Sequence, residues 1–327
     1  MGESPEQTGR LRPFRSLDRS RSVPVVLQRA GPKALFAADE FFAARISNPH
    51  TRRAYARVVS CFLAWCEQEG LDLPRVSPGL AGRFIDELPG DTPTRNQALA
   101  ALRHFFDTLL VRHAVPLNPF QSVRGRKHDS SDGKTPGLSI QQARNLLGSI
   151  DTSHVVGLRD RALLGVLTYT GARVGAVARL RRGDLEDQGP QRVLRFREKG
   201  GRQREVPVRH DLDGWLGAYI EAAGVDDAPR EVPLFRAALG NRKRLSDRPL
   251  SANDMRRLLK RRLKDAGLPS VFSPHSFRVL VVTDLLSQDV PIEDVQYLAG
   301  HATPRTTQIY DRRRRRVTRN IVERISV

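Results

Sequence analysis

Six side chains between positions 173 and 310 are of the types that phosphoryl transfer requires. Arg173 lies in TYTGARVGAVARL, Lys199 in REKGGRQREVPV, His275 and Arg278 in SPHSFR, and His301 and Tyr310 in LAGHATPRTTQIY. Two guanidiniums can fork onto the non-bridging oxygens of a phosphate and neutralise the charge that grows in a pentavalent transition state. A tyrosine oxygen can attack phosphorus, because a neighbouring cation favours its ionised form. A lysine on a glycine hairpin can protonate the departing oxygen. No carboxylate cluster of metal-binding type accompanies these groups, and the eight histidines show neither HExxH nor paired-ligand spacing. The expectation is a site that works without metal or other cofactor. Each residue taken singly has an ordinary explanation, as a surface charge, a core tyrosine or a turn lysine. Only the set points to chemistry.

The elements that must position this set can be read from periodicity and caps. Thr51 is placed to cap a helix whose apolar residues Tyr55, Val58, Val59, Phe62, Leu63 and Trp65 recur mostly at three- and four-residue steps. Ser77-Pro78 and Thr92-Pro93 open two more, the second with Leu99, Leu102, Phe105, Phe106 and Leu109 on one stripe. Residues 35–44 suggest a further helix in front, so residues 33–125 are predicted as a small all-α domain. Residues 1–32, rich in Arg, Ser and Pro, read as a disordered basic tail, and the polar stretch 126–137 as an interdomain linker. In the second domain, residues 138–327, Ser139 caps a helix, and residues 159–180 read as two helices meeting near Tyr169-Thr170-Gly171. Strands at 192–197 and 205–208 flank the turn Lys199-Gly200-Gly201-Arg202, and helices cover 251–266, 276–286 and 292–298. The predicted fold is mainly α, in two domains, with one small antiparallel β-sheet in the second.

Composition narrows the partner. With 39% hydrophobic residues, 327 positions can build two cores, which excludes a wholly disordered chain and a disulfide mini-protein. The 55 Lys and Arg against 36 Asp and Glu leave a net charge of +19, of which +13 falls in residues 135–327. Such a surface attracts polyanions, above all nucleic acid, or an anionic membrane. No apolar run approaches the ~18 residues of a spanning helix, residues 1–30 lack a hydrophobic signal core, and Cys61 and Cys66 make neither a disulfide framework nor a metal quartet. A soluble, cytoplasmic protein is expected. The helix from Ser251 sorts Arg256, Arg257, Lys260, Arg261 and Lys264 onto one face, opposite Met255, Leu258, Leu259 and Leu263. That stripe fits a DNA backbone or a merely solvated face, and acids are scarce in it. Arg262 is the exception, falling among the apolar residues.

The TG-A-R-V box, the KGGRQR-VP hairpin, the H-x-x-R pair, the LAGH box and the TTQIY box stand in order and at family-like intervals. On these the chain resembles the tyrosine recombinase (phage integrase) family over nearly its whole length after residue 33 or so. The resemblance implies that Arg173 and Arg278 bind the scissile phosphate, with His301 adding a hydrogen bond. Lys199 would be the general acid for the 5′-oxygen, His275 would assist proton transfer, and Tyr310 would form a 3′-phosphotyrosyl link. The first domain would match the SAM-like core-binding domain, which clamps double-stranded DNA from the opposite side. It further implies a homotetramer on two DNA sites, nucleoid-associated, performing integration, excision or resolution, as on a mobile element. The 32 residues before the first domain are too few for an arm-binding domain, so a simple layout is expected. Relaxation in the manner of a type IB topoisomerase, and DNA binding without cleavage, are the competing readings. Three positions depart from the family pattern: Ala176 stands where an acidic residue is usual, and Val279-Leu280 where His-Thr is common. After the tyrosine, Arg312–Arg316 are expected near phosphate. Val317, Ile321, Val322 and Ile325 form an apolar stripe expected to dock on a neighbouring protomer.

Overall fold

The computed structural model describes residues 23–127, 135–197, 201, 203–240, 243–301 and 303–310, and the chain divides into two units between Asp129 and Ser130. The first unit is all helical: α1 (Val25–Arg29), α2 (Pro32–Glu40), a π turn at Phe41–Arg45, α3 (Pro49–Gln68), α4 (Pro78–Glu87) and α5 (Thr92–Val111). Proline at the first position of α3 and α4 sits where a missing N–H costs nothing, and a side chain just upstream supplies the cap. Asn48 accepts from the amides of His50 and Thr51, Ser77 from Leu80, and Asp91 from Thr94. The caps expected of Thr51 and Thr92 therefore belong to Asn48 and Asp91. Phe62 centres the core, with Phe84, Phe106 and Phe120 edge-on to it at 5.1, 5.6 and 5.2 Å between ring centroids.

Two expectations about the ends of this unit need correction. The tail predicted through residue 32 gives way at Val25 to α1, whose Val26 and Leu27 are buried in the same core. The apolar run Val25-Val26-Leu27 has enough to bury, and Glu67 accepts from the Val25 amide at 2.7 Å. At the other end, Arg126 pairs with Asp86 at 2.7 Å and its amide donates to Asn96 at 3.1 Å, so the predicted linker is tied down at its start. Cys61 and Cys66 carry free thiols, and burial pushes Cys66 up to about 12.

The second unit runs α6 (Ile140–Gly148), α7 (Val155–Thr170), α8 (Val174–Val177), β1 (Leu185–Gln188), β2 (Gln191–Arg197), β3 (Gln203–Pro207), α9 (His210–Ala222), β4 (Arg236–Ala238), β5 (Leu245–Pro249), α10 (Ala252–Asp265), α11 (Pro274–Ser287), α12 (Ile292–Ala299) and α13 (Pro304–Gln308). Helix α7 is apolar nearly all round and forms the centre of the unit, packed by α9 and α11. Gly165 allows α9 to approach: a Cβ there would lie 2.9 Å from Leu212 Cδ1 and Trp215 Cε3. At the start of the unit Gly137 meets α11 in the same way, where a Cβ would lie 2.9 Å from Val279 Cγ1.

The sheet is antiparallel in the order β1-β2-β3, with β2 and β3 paired from Val193↔Pro207 to Arg197↔Gln203. The expected strand pair is present, and β1 joins it. A second two-stranded sheet, β4-β5, was not anticipated. The segments Arg312–Arg316 and 317–327 lie outside the described residues. Among those described, no helix is long and apolar enough to cross a membrane.

Candidate active site

Three helix ends and one short helix deliver the site residues. Gly171 ends α7 in the left-handed region (φ 56°, ψ 19°), which turns the chain so that Arg173 precedes α8 and the Gly171 carbonyl faces α11. Pro274 starts α11 within a Ser273–Ser276 capping box, putting His275 in its first turn and Arg278 three residues on, along one side of the helix. Gly300 ends α12 in the left-handed region (φ 62°, ψ 43°) and hands on His301. Helix α13 then carries the chain to Tyr310, whose amide donates to the Thr307 carbonyl at 3.0 Å.

Five of the six predicted residues converge. Arg278 is only 2% exposed. It donates through Nη1 to the Gly171 carbonyl at 2.9 Å and through Nε to His301 Nε2 at 3.1 Å. Arg173 donates to the Gly300 carbonyl at 3.0 Å. The Tyr310 hydroxyl lies 2.9 Å from His275 Nε2, and the charges of Arg278 and Arg173 act on it. The Tyr310 ring lies parallel to that of His301, at 5.7 Å between centroids and 5° between planes. Lys199, the sixth, lies outside the described residues. Ala176, at the position of the missing carboxylate, is buried in the apolar core. No three His, Cys, Asp or Glu gather to hold a metal among the described residues.

The electrostatics correct two details. Burial raises the Tyr310 phenol above its ordinary range and outweighs Arg278 and Arg173, which pull the other way. The neighbouring cations therefore do not ionise it in this state. It keeps its proton and shares a hydrogen bond with His275, an imidazole that burial, Arg278 and Arg173 hold below its ordinary range. His301 is driven down to about 3 by burial first, then by Arg278 and Arg173. Neutral, with Nε2 accepting from Arg278, it has no Nε2 hydrogen to offer a phosphate as the site stands. Sequence reasoning missed three contributors here: the carbonyls of Gly171 and Gly300, and the buried Arg204, which stacks over Phe196 at 4.8 Å and adds positive charge near His301. A carbonyl partner leaves no mark on residue type.

The stripe on α10 is placed as expected, with Met255, Leu258, Leu259 and Leu263 buried and Arg256, Arg257, Lys260, Arg261 and Lys264 exposed. Its charges, however, are partly engaged. Lys260 Nζ donates to the carbonyls of Phe272, at 3.0 Å, and Ser270. Arg261 reaches the fully buried Asp160 at 3.2 Å, Arg257 pairs with Asp254 at 3.3 Å, and Arg256 bonds Asn253 at 2.7 Å. The anomalous Arg262, its side chain 12% exposed, also pairs with Asp160, at 2.7 Å. Arg159, next to Asp160 on α7, completes the cluster at 2.6 Å.

Comparison with known proteins bears on this arrangement. The phage integrase family matches residues 137–316, and the N-terminal SAM-like domain of phage integrases matches residues 39–113. Tyrosine recombinase XerC of Chlamydia muridarum is 30% identical over 291 residues, spanning 81% of this chain and 88% of the relative. Tyrosine recombinase XerD of Chlorobaculum tepidum is 29% identical over 272 residues, 80% and 85% of the two chains. Among solved structures, XerH site-specific recombinase bound to palindromic difH substrate, a post-cleavage complex, superposes with a TM-score of 0.68 at 18% identity over 86% of each chain. A lambda integrase tetramer bound to a Holliday junction gives 0.63 at 17% identity, over 92% of this chain and 84% of that one. These superpositions speak to the fold: two domains, mostly helical, with small antiparallel sheets.

Proposed function

The chain belongs to the phage integrase family of tyrosine recombinases, and from that premise we propose that Tyr310 cuts DNA by forming a 3′-phosphotyrosyl link. The Tyr310 oxygen attacks phosphorus, the bond from phosphorus to the 5′-oxygen breaks, and the phenolic proton passes to His275 Nε2. Arg173 and Arg278 hold the non-bridging oxygens, and Lys199 protonates the leaving 5′-oxygen. A 5′-hydroxyl from a second strand then attacks the link, reversing each proton transfer and freeing Tyr310. The phosphotyrosyl bond conserves the energy of the broken diester, so no ATP is needed, and two guanidiniums supply the charge that a metal would otherwise bring.

One observation carries this reading. A neutral imidazole lies 2.9 Å from the tyrosine oxygen, able to take its proton, and the charges of Arg278 and Arg173 act on the same group, able to stabilise the anion left behind. The partner is double-stranded DNA, bound in the cytoplasm on the nucleoid, with the helical first unit, from α1 onward, as the core-binding domain and a homotetramer acting on two sites. Integration, excision and resolution all use this chemistry. In the assembled tetramer, residues 317–327 dock on a neighbouring protomer while Arg312–Arg316 stay near phosphate.

The test is covalent capture on a nicked suicide substrate, built from DNA recovered with the trapped protein. Wild-type protein should give an adduct that resists denaturation, and Tyr310→Phe should bind the same DNA and give none. Tight binding by the wild type without an adduct would leave a DNA-binding protein only. Relaxation of supercoils by isolated monomers without strand exchange would point to a topoisomerase instead.

A further inference from the structure

Thr307, the second threonine of the TTQIY box, carries no role assigned from type or spacing, yet it is fully buried and touches both halves of the site. Its Oγ1 lies 2.8 Å from His301 Nδ1, and its carbonyl accepts from the Tyr310 amide. The hydrogen-bond inventory then settles where the imidazole proton sits. Arginine has only donors, so Arg278 Nε donates to His301 Nε2, and Nε2 must carry the lone pair. A neutral ring whose Nε2 accepts bears its hydrogen on Nδ1, and that hydrogen points at Thr307 Oγ1. Burial together with Arg278, Arg173, His275 and Arg204 keeps the ring neutral.

We propose that Thr307 is a positioning residue that fixes the tautomer and orientation of His301, reserving Nε2 for the phosphate-binding side of the site. This rests on the recombinase reading. With Nδ1–H already bonded to Thr307, the nitrogen left facing Arg278 and the phosphate side is Nε2, which holds its lone pair toward the Arg278 Nε–H. One threonine thus supports the phosphate-binding histidine through its hydroxyl and the nucleophile through its carbonyl. Without the hydroxyl, a buried N–H loses its acceptor, and the ring gains by turning or by moving its proton.

Thr307→Ser keeps the hydroxyl, and Thr307→Val keeps the shape without it. The first readout is the tautomer, from ¹⁵N shifts of the His301 ring in protein without DNA. Wild type and Thr307→Ser should show hydrogen on Nδ1, and Thr307→Val a shift toward Nε2 or a mixture. The second readout is the single-turnover cleavage rate and half-site affinity on the suicide substrate. Thr307→Val should lose on the order of 10- to 100-fold in cleavage, as other partners of a functional histidine's second nitrogen do, with affinity kept. Thr307→Ser should restore most of the rate. An Nδ1-bound hydrogen in folded Thr307→Val, an unchanged cleavage rate, or equal loss in Thr307→Ser would each overturn the proposal. Failure of the recombinase reading itself would appear separately, as wild-type protein that shows the expected tautomer and forms no adduct.

Discussion

Two clusters of arginines sit in the second unit, and they are resolved in opposite ways. Around Asp160, the guanidiniums of Arg159, Arg261 and Arg262 converge on one fully buried carboxylate. Around Tyr310, Arg173 and Arg278 donate to the carbonyls of Gly300 and Gly171 and to a neutral imidazole. Those acceptors orient a guanidinium without cancelling its charge. The first cluster fastens α10 to α7, and the second holds positive charge in fixed directions, which is what a phosphate site needs. Residue type is the same in both; the acceptor decides what the arginine does.

Removing the carboxylate should break the comparison most forcibly. Asp160→Ala strands the charge of Arg159, which is 2% exposed, and should cost roughly 3–5 kcal/mol, read as a lowered denaturation midpoint. If the stability were unchanged, Asp160 would be dispensable to the fold and the contrast would fail. At the other cluster, Arg173→Ala should cut single-turnover cleavage by about 10²–10³ or more while leaving most half-site affinity and the midpoint in place. Arg278→Ala should do the same to the rate and, being buried, also lower the midpoint. A loss of affinity matching the loss of rate would make Arg173 an ordinary DNA contact.

Acid tests the electrostatics of this site directly. His301 titrates near 3 in the folded chain against about 6.5 when unfolded. Between those values the unfolded chain binds a proton that the folded one does not. Stability from this group is therefore complete above pH 6.5 and falls as pH drops toward 3. Urea titrations across that window should show the slope, His301→Gln should reduce it, and added sulfate should oppose it by balancing the charge. The smallest effects belong to α10. Arg257, with its side chain 79% exposed, should lose little stability as Arg257→Ala but lower the salt slope of DNA binding by about 1. Lys260→Ala should do the reverse, because its ammonium holds two carbonyls. A wild-type salt slope in Arg257→Ala would show that α10 does not track the backbone.

Much of the fold was legible where a local signal decides the local structure. Ser77, Ser139 and Ser251 start helices in the structure as their positions suggest, each accepting an amide hydrogen. Strand β1 was not legible, because Glu186-Asp187-Gln188 has no apolar alternation and is recruited by pairing with β2. Helix α1 was missed because five residues carry too little period, and its stability comes from docking. In the site, the boxes around Arg173, His275, Arg278, His301 and Tyr310 named the residues that converge. The protonation state of Tyr310 did not follow from residue types, since burial is set by packing and here outweighs two cations. Arg262 stood out as a charge on an apolar face, but its partner is 102 residues away in sequence, beyond any helical spacing.

The contact between Gly137 and Val279 places a constraint on how this protein can change over generations. Val279 directly follows Arg278 and departs from the family pattern, and its β-branched side chain is stiff in a helix, so it cannot swing aside for a Cβ 2.9 Å away. A lineage that first enlarges position 137 passes through an overpacked intermediate costing about 1–3 kcal/mol. One that first shrinks position 279 loses buried apolar contact instead, and can then fill the glycine. The order of change is therefore set by the contact: position 137 can grow only after the residue beside Arg278 has made room for it.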